Sequence, residues 1–280
     1  MIILYNGQLI QREEAQIDIE DRAYQFGDGI YEVIRIYDRQ PFHMKDHLDR
    51  LEKSAKKIRI NLPYKLDQLE VLLNELIKQN DFTQGNLYVQ VSRGVAPRSH
   101  AFPENASPVT IAYIQPANRP VREQTEGIRA KTAPDVRWLL CDIKSLNLLG
   151  AVLAKQDAYD HGCQEAILIR DGIVTEGSST NIFIVRNETL QTHPADRLIL
   201  HGITRKVTLQ LAGELQIPVK EKGFDRNTLL SADEVFLTST TMEICPIIQI
   251  DGQPVGDGKP GKITRLLQEA FAKSISAGKN

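Results

Sequence analysis

Cysteine is scarce in this chain. There are three in 280 residues, Cys141, Cys163 and Cys245, an odd number with no pair at metal-ligand spacing. That excludes a disulfide scaffold and a cysteine-built zinc module, and it predicts reduced, mostly buried thiols in a cytoplasmic protein. An excess of either charge is also missing: 34 basic residues stand against 36 acidic ones, for a net charge of −2. The chain therefore has no bias toward polyanions, and no DNA-reading element is expected. The densest basic cluster, Lys53 to Arg59, reads as the solvated face of an amphipathic helix. No apolar run is long enough to span a membrane. Met1 to Glu14 lacks the basic start and long apolar stretch of a signal peptide. No fixed-period repeat or low-complexity segment is present.

What is there is an ordinary globular composition, 41% hydrophobic and 25% charged, enough for one large core or two smaller ones. Asn6-Gly7 between Met1–Tyr5 and Gln8–Ile10 predicts a hairpin with a type I′ turn. Tyr31 to Tyr37 reads as a strand. Leu48, Leu51, Ala55 and Ile58 make a stripe on a helix over Asp46 to Ile58. Leu69, Leu72, Leu73, Leu76 and Ile77 do the same over Leu66 to Gln79. Strands are expected at Leu87–Arg93 and Val109–Gln115, which makes an α+β unit with helices on one face of a mainly antiparallel sheet. The proline-bearing stretch Pro116 to Arg122 reads as a linker, so the expected domains are 1–116 and 123–280. In the second, strands are expected at Ile128–Thr132, Glu165–Arg170, Ile182–Val185, Glu234–Thr238 and Ile247–Ile250. Helices are expected at Ser145–Asp160, Gly202–Leu215 and Lys262–Ser276.

Lys144 is the most informative residue. It follows the apolar run Trp138-Leu139-Leu140, read as strand-like, and precedes a small-residue helix. A lysine at such a junction points into a cleft, where desolvation frees the amine as a nucleophile for carbonyl compounds. Alone, it would be read as a surface lysine. Four other groups bear on it. Glu176, in Thr175-Glu176-Gly177-Ser178-Ser179-Thr180-Asn181, is a carboxylate suited to a protonated ring nitrogen, or simply part of a small-residue turn. Gly202-Ile203-Thr204-Arg205 opens a helix, and Ser239-Thr240-Thr241 follows a strand; both offer small donors to a phosphate, or ordinary caps. Arg50 sits beside the apolar stripe of its helix and suits a phosphate, or a surface ion pair. Arg98 and His100 share a Gly/Pro-bounded loop that suits a carboxylate, or is merely basic and solvated.

Taken in order, Lys144, Glu176 with Gly177 and Asn181, Gly202-Ile203-Thr204-Arg205 and Ser239-Thr240-Thr241 resemble the fold-type IV pyridoxal phosphate enzymes. Phe26-Gly27-Asp28-Gly29-Ile30-Tyr31-Glu32 resembles that family's N-terminal motif, and the likeness runs nearly end to end. Within the family, Tyr31, Arg98 and His100, with Cys141-Asp142-Ile143-Lys144-Ser145-Leu146-Asn147, are most similar to the aminotransferases that act on D-amino acids. The resemblance implies a small α/β domain and a larger domain with a barrel-like sheet. It implies pyridoxal 5′-phosphate bound by Arg50, Lys144, Glu176, Ile203, Thr204, Ser239 and Thr240, with Lys144 catalytic. Tyr31, Arg98 and His100 would bind the substrate carboxylate, the Arg–His loop reaching the other subunit of a homodimer. The implied reaction is transamination of a D-amino acid such as D-alanine with 2-oxoglutarate. Its rivals are a branched-chain L-amino acid or (R)-amine transaminase, and an aminodeoxychorismate lyase.

Overall fold

The computed structural model describes residues 1–277. Contacts divide it into two units, Met1–Asn118 with Ile143–Asn147, and Arg119–Asp142 with the chain from Leu148 onward. In the first unit the hairpin β1 (Ile2–Tyr5) and β2 (Gln8–Gln11) turns at Asn6 and Gly7, whose φ values of +47° and +83° match a type I′ turn. After a short 3₁₀ turn come α1 (Arg22–Phe26), β3 (Gly29–Tyr37), β4 (Gln40–Pro41), α2 (Met44–Lys57), α3 (Leu66–Gln79), β5 (Gly85–Ser92) and β6 (Val109–Pro116). The six strands form one antiparallel sheet in the order β2-β1-β6-β5-β3-β4. The core is built from the stripes read in the sequence. Leu48, Leu51 and Ala55 of α2 and Leu69, Leu73, Leu76 and Ile77 of α3 join Ile34 and Ile36 of β3 and Leu87 and Val89 of β5. Each such aliphatic side chain contributes roughly 1.5–3 kcal/mol on burial.

The second unit runs α4 (Val121–Glu126), β7 (Ile128–Pro134), α5 (Leu149–Asp160), β8 (Glu165–Arg170), β9 (Ile173–Gly177), β10 (Asn181–Arg186), β11 (Thr189–Thr192), α6 (Ile203–Glu214), β12 (Val219–Glu221), α7 (Arg226–Leu230), β13 (Glu234–Ser239), β14 (Glu243–Ile250), β15 (Gln253–Pro254) and α8 (Lys262–Ala277). Its sheet follows the order β12-β11-β10-β13-β14-β7-β8-β9, with β15 on β14. Strand pairs β14–β7 and β7–β8 are parallel. The path curls: a tight turn, with Gly177 N–H on the Thr180 carbonyl at 2.7 Å, brings the far strand β9 back beside β10. The result is the barrel-like sheet expected of an α+β fold of this kind. Phe183 and Phe236 face each other across β10 and β13 and stack at 4.9 Å in its core.

Two local expectations change. Trp138 to Leu140 is not a strand. The three residues are 38–51% exposed: β7 ends at Pro134, one last bond follows from Asp135 N–H to the Ile169 carbonyl at 2.9 Å, and among the described residues no strand pairs with Trp138 to Leu140. The helix expected from Ser145 begins at Leu149, because the preceding backbone is already engaged. Ser145 bridges to Ile30, and Leu146 N–H donates to the Gly29 carbonyl at 3.0 Å. Glu176, read beside a small-residue turn, lies within β9. Of the thiols, Cys141 and Cys245 are buried, Cys163 is half-buried, and all three are free.

Candidate active site

Lys144 belongs to the first unit, on the short segment Ile143–Asn147. Ile143 anchors that segment in the core. The lysine backbone is held on both sides: its N–H donates to Ser54 Oγ at 3.2 Å, and its carbonyl accepts from Tyr31 N–H at 3.0 Å. The side chain is half-buried, with Nζ 4.1 Å from the centroid of the Tyr31 ring. Among the described residues no carboxylate pairs with it, so the amine is directed by an aromatic face rather than neutralised by an acid. Tyr31 itself stacks on Tyr88 at 5.7 Å, and Tyr88 lies 5.1 Å from Tyr113. Burial pushes the Tyr88 hydroxyl well above its ordinary value, and the neutral phenol donates to Gln90 Oε1 at 2.8 Å.

Helix α2 presents a second row of polar groups on its buried face: His47, Arg50 and Ser54, spaced three and four residues apart. Arg50 forks onto Glu32 of β3, Nε to Oε1 at 2.7 Å and Nη2 to Oε2 at 2.8 Å. His47 Nδ1 reaches Glu32 Oε2 at 2.7 Å. Glu32 is fully buried. Burial opposes its charge, but Arg50 and His47 outweigh burial and hold the carboxyl well below the usual range. Burial also lowers the pKa of His47, so the ring is neutral and donates through Nδ1.

On the loop between β5 and β6, Arg98 and His100 are exposed, and both meet Phe26. The Arg98 guanidinium lies 4.9 Å, and the His100 ring 5.5 Å, from its centroid. Tyr31, grouped with them on sequence, meets Lys144 and Tyr88 instead.

In the second unit Glu176 is 4% exposed and surrounded by donors. Arg137 Nη1 donates to Oε1 at 2.5 Å, and Asn181 Nδ2 and Leu200 N–H each donate to Oε2 at 3.0 Å. Burial outweighs the downward pull of Arg137 and the Leu200 N–H and leaves the carboxyl raised, at about 7. Every neighbour in contact is a donor, so the contacts oppose that rise without overcoming it. Arg137 is fixed in turn by a two-pronged pair with Asp135, Nε to Oδ1 and Nη2 to Oδ2, both at 2.9 Å. Burial raises Asp135, but Arg137, Arg170 and Thr175 bring it down to about 2. The turn after Glu176 is pinned by buried Glu165, which accepts from Ser178 N–H at 3.1 Å, from Ser178 Oγ, and from Thr180 Oγ1 at 3.1 Å.

Helix α6 starts at Ile203 with no side-chain cap, since its N-cap is Gly202. The first-turn N–H groups have no partner within the helix, which is what an anion requires. Gly202 is needed there, because a Cβ would stand 2.2 Å from Asn181 Oδ1. Thr204 is buried. Helix α6 packs on β13, which ends at Ser239, with Thr240 in the turn that follows. Ser239 Oγ accepts from Met242 N–H at 3.0 Å, and Thr238 Oγ1 is buried with no partner among the described residues. Glu243 closes this turn at φ +56°, with Arg119 forked on its carboxylate at 2.8 and 2.5 Å.

The amino-transferase class IV family pattern matches residues 29–250. The chain belongs to the class IV aminotransferases. It is 49% identical to a D-alanine aminotransferase of Bacillus licheniformis over 275 residues, 98% of this chain and 97% of that one. It is 48% identical to one from Listeria monocytogenes serotype 1/2a, over 99% of this chain and 96% of the relative. Among solved structures, a branched-chain aminotransferase from Thermoproteus uzoniensis superposes with a TM-score of 0.92 at 30% identity, over 100% of this chain and 96% of that one. A T.th. branched-chain aminotransferase with pyridoxamine 5′-phosphate gives 0.91 at 29%, over 99% and 95%.

In this class IV aminotransferase the expected residues fall into two sets. The first unit holds Lys144, Tyr31, Arg50, Arg98 and His100; the second holds Glu176, Ile203, Thr204, Ser239 and Thr240. Glu32, His47, Asp135, Arg137 and Glu165 were not singled out from sequence. Two signals existed: Glu32 ends the glycine-bearing motif, and His47 precedes Arg50 by one helical turn. Arg137 had none, being 39 residues from its partner.

Proposed function

We propose that this aminotransferase exchanges the amino group of a D-amino acid, D-alanine in the first instance, with 2-oxoglutarate, using pyridoxal 5′-phosphate carried by Lys144. The observation that carries the reading is near-half identity to D-alanine aminotransferases over essentially the whole chain. The residues fit the cofactor by their chemistry. Lys144 offers an amine without a carboxylate partner, Glu176 a buried carboxylate amid donors, and the uncapped start of α6 free N–H groups beside the hydroxyl of Thr204. When bound, pyridoxal phosphate supplies an aldehyde that condenses with amines and a cationic ring that accepts the electron pair left by a departing α-proton.

The remaining work belongs to the chain. Lys144 Nζ takes the substrate α-proton and returns it, acting first as base and then as acid. The Tyr31 face restricts where that amine points. Ionised Glu176 holds a protonated ring nitrogen. Ile203 and Thr204, with Ser239 and Thr240, hold the phosphate, and Arg50, whose Nε and Nη2 are given to Glu32, adds positive charge. Arg98 and His100 bind the α-carboxylate, which decides the enantiomer whose Cα–H faces Lys144. Amino donor and acceptor use one site in turn, so kinetics are ping-pong.

A homodimer and a cytoplasmic location complete the reading. Helix α5 supports the first: it buries Ala151, Ala154 and Ala158 and exposes Leu149, Val152 and Leu153 by 54–71%. An inverted face of this kind suits burial against a second copy. No helix among the described residues is long and apolar enough to cross a membrane. The test is borohydride reduction of the loaded enzyme followed by peptide mapping. The label is expected on Lys144, with Lys144→Ala losing both the visible cofactor band and turnover. Transamination retained by Lys144→Ala would end the assignment.

A further inference from the structure

In the loop that carries them, Arg98 and His100 both pack on one ring. Helix α1 stops at Gly27, φ +64°, and its last residue, Phe26, has three nitrogen-bearing groups around it. The Arg22 guanidinium lies 4.6 Å from its centroid, that of Arg98 4.9 Å, and the His100 ring 5.5 Å at 57°. Arg22 also grips the loop backbone, Nη1 donating to the Ser99 carbonyl at 2.6 Å, while its Nε is held by Asp28 Oδ2 at 2.8 Å. Asp28 receives a fork from Arg93, with Nε at 2.8 Å and Nη2 at 2.9 Å, and Arg93 lies 3.6 Å from the Phe102 ring. The two ends of the segment Arg93–Phe102 are thus tied to each other, and its exposed middle is oriented by Arg22 and Phe26.

We propose that Phe26 and Arg22 are positioning residues for carboxylate recognition, the Phe26 ring setting the direction of the Arg98 guanidinium and the His100 imidazole and Arg22 fixing the backbone between them. An exposed arginine samples many rotamers, and each cation–π contact at an exposed site favours the stacked one by roughly two- to fivefold. Removing the ring leaves both groups on the loop but disperses them. The proposal rests on the assignment of Arg98 and His100 to the substrate carboxylate.

The test compares the loaded Phe26→Leu, Phe26→Tyr and Arg98→Ala enzymes. For Phe26→Leu the KM for D-alanine is expected to rise about tenfold. Inhibition by propionate, a carboxylate without an amino group, should weaken by the same factor, with kcat and the cofactor dissociation constant little changed. Phe26→Tyr, which keeps the ring, should restore both. A Phe26→Leu enzyme with unchanged KM and propionate inhibition would overturn the proposal. So would one in which kcat, cofactor affinity and Tm all fall as KM rises, since that marks a merely structural ring. If Arg98→Ala raises KM while Phe26→Leu does not, the positioning role alone fails. If Arg98→Ala leaves KM unchanged, the carboxylate assignment fails and the proposal with it.

Discussion

Replacing Arg137 by methionine removes the one full positive charge that touches Glu176. The guanidinium contact at 2.5 Å goes, while Asn181 and Leu200, both neutral donors, remain at 3.0 Å. A hydrogen bond to a charged group contributes roughly 1.5–3 kcal/mol, which converts to about one to two pH units in the titration of the carboxyl. Burial already places Glu176 at about 7 with Arg137 present. The variant therefore carries a Glu176 that is neutral across the physiological range. The sign follows from the role proposed for Glu176: an ionised carboxylate would hold a protonated ring nitrogen, so the acid limb of log kcat/KM for D-alanine is expected to move to higher pH by that amount. Activity at neutral pH falls about five- to fiftyfold and recovers in part on raising the pH. Asp135 keeps Arg170 at 3.0 Å and Thr175 at 2.9 Å, so the destabilisation should stay near the usual 3–5 kcal/mol for breaking a buried pair. Tm measured alongside separates that loss from the catalytic one. An acid limb superimposable on that of the unaltered enzyme would refute the electrostatic coupling.

Other outcomes follow from the same geometry. Glu32→Gln leaves Arg50 and His47 in a fully buried pocket without their carboxylate, at a cost of about 3–5 kcal/mol in urea unfolding at neutral pH. Because the folded-state pKa of Glu32 is depressed, its contribution is present above the ordinary value of 4.5 and is lost as pH falls below it. The gap between variant and parent should therefore narrow in acid, and a gap independent of pH would count against the pair. Gly202→Ala drives a Cβ to 2.2 Å from Asn181 Oδ1, which must move from Glu176 and from the start of α6. It should weaken cofactor binding, measured by equilibrium titration, with about 1–3 kcal/mol of strain; unaltered affinity would show that this corner yields freely.

Features set by short-range periodicity were legible in the sequence. The stripes of α2 and α3 and the Asn6-Gly7 turn depend on neighbours within one or two helical turns, and the structure places them as read. The family was legible for another reason, that the motifs around Lys144 and Glu176 resemble one whose pattern matches the chain. What local pattern could not give was partnership across the fold. Trp138, Leu139 and Leu140 have the composition of a strand, but strand formation needs an edge to pair with, and none reaches them beyond Pro134. The fork of Arg50 onto Glu32, eighteen residues away on another element, is one such partnership. Arg137 meets Glu176 only because β9 and the segment after β7 come together in a curled sheet, an arrangement with no trace in either local sequence. The placement of Ile143–Asn147 with the first unit has the same origin: the segment pairs with β3 through Ile30, and nothing in its own residues announces that bond.

The central claim is the handedness of the substrate. The direct measurement is 2-oxo acid formation by the loaded enzyme from D-alanine and, separately, from L-alanine and L-leucine, each with 2-oxoglutarate, with the configuration of the glutamate product determined in every case. The account predicts pyruvate and D-glutamate from D-alanine, and turnover of the L-amino acids lower by a factor of at least about 100, the discrimination expected from two or more misplaced polar contacts. Preferential turnover of L-leucine with formation of L-glutamate would contradict it.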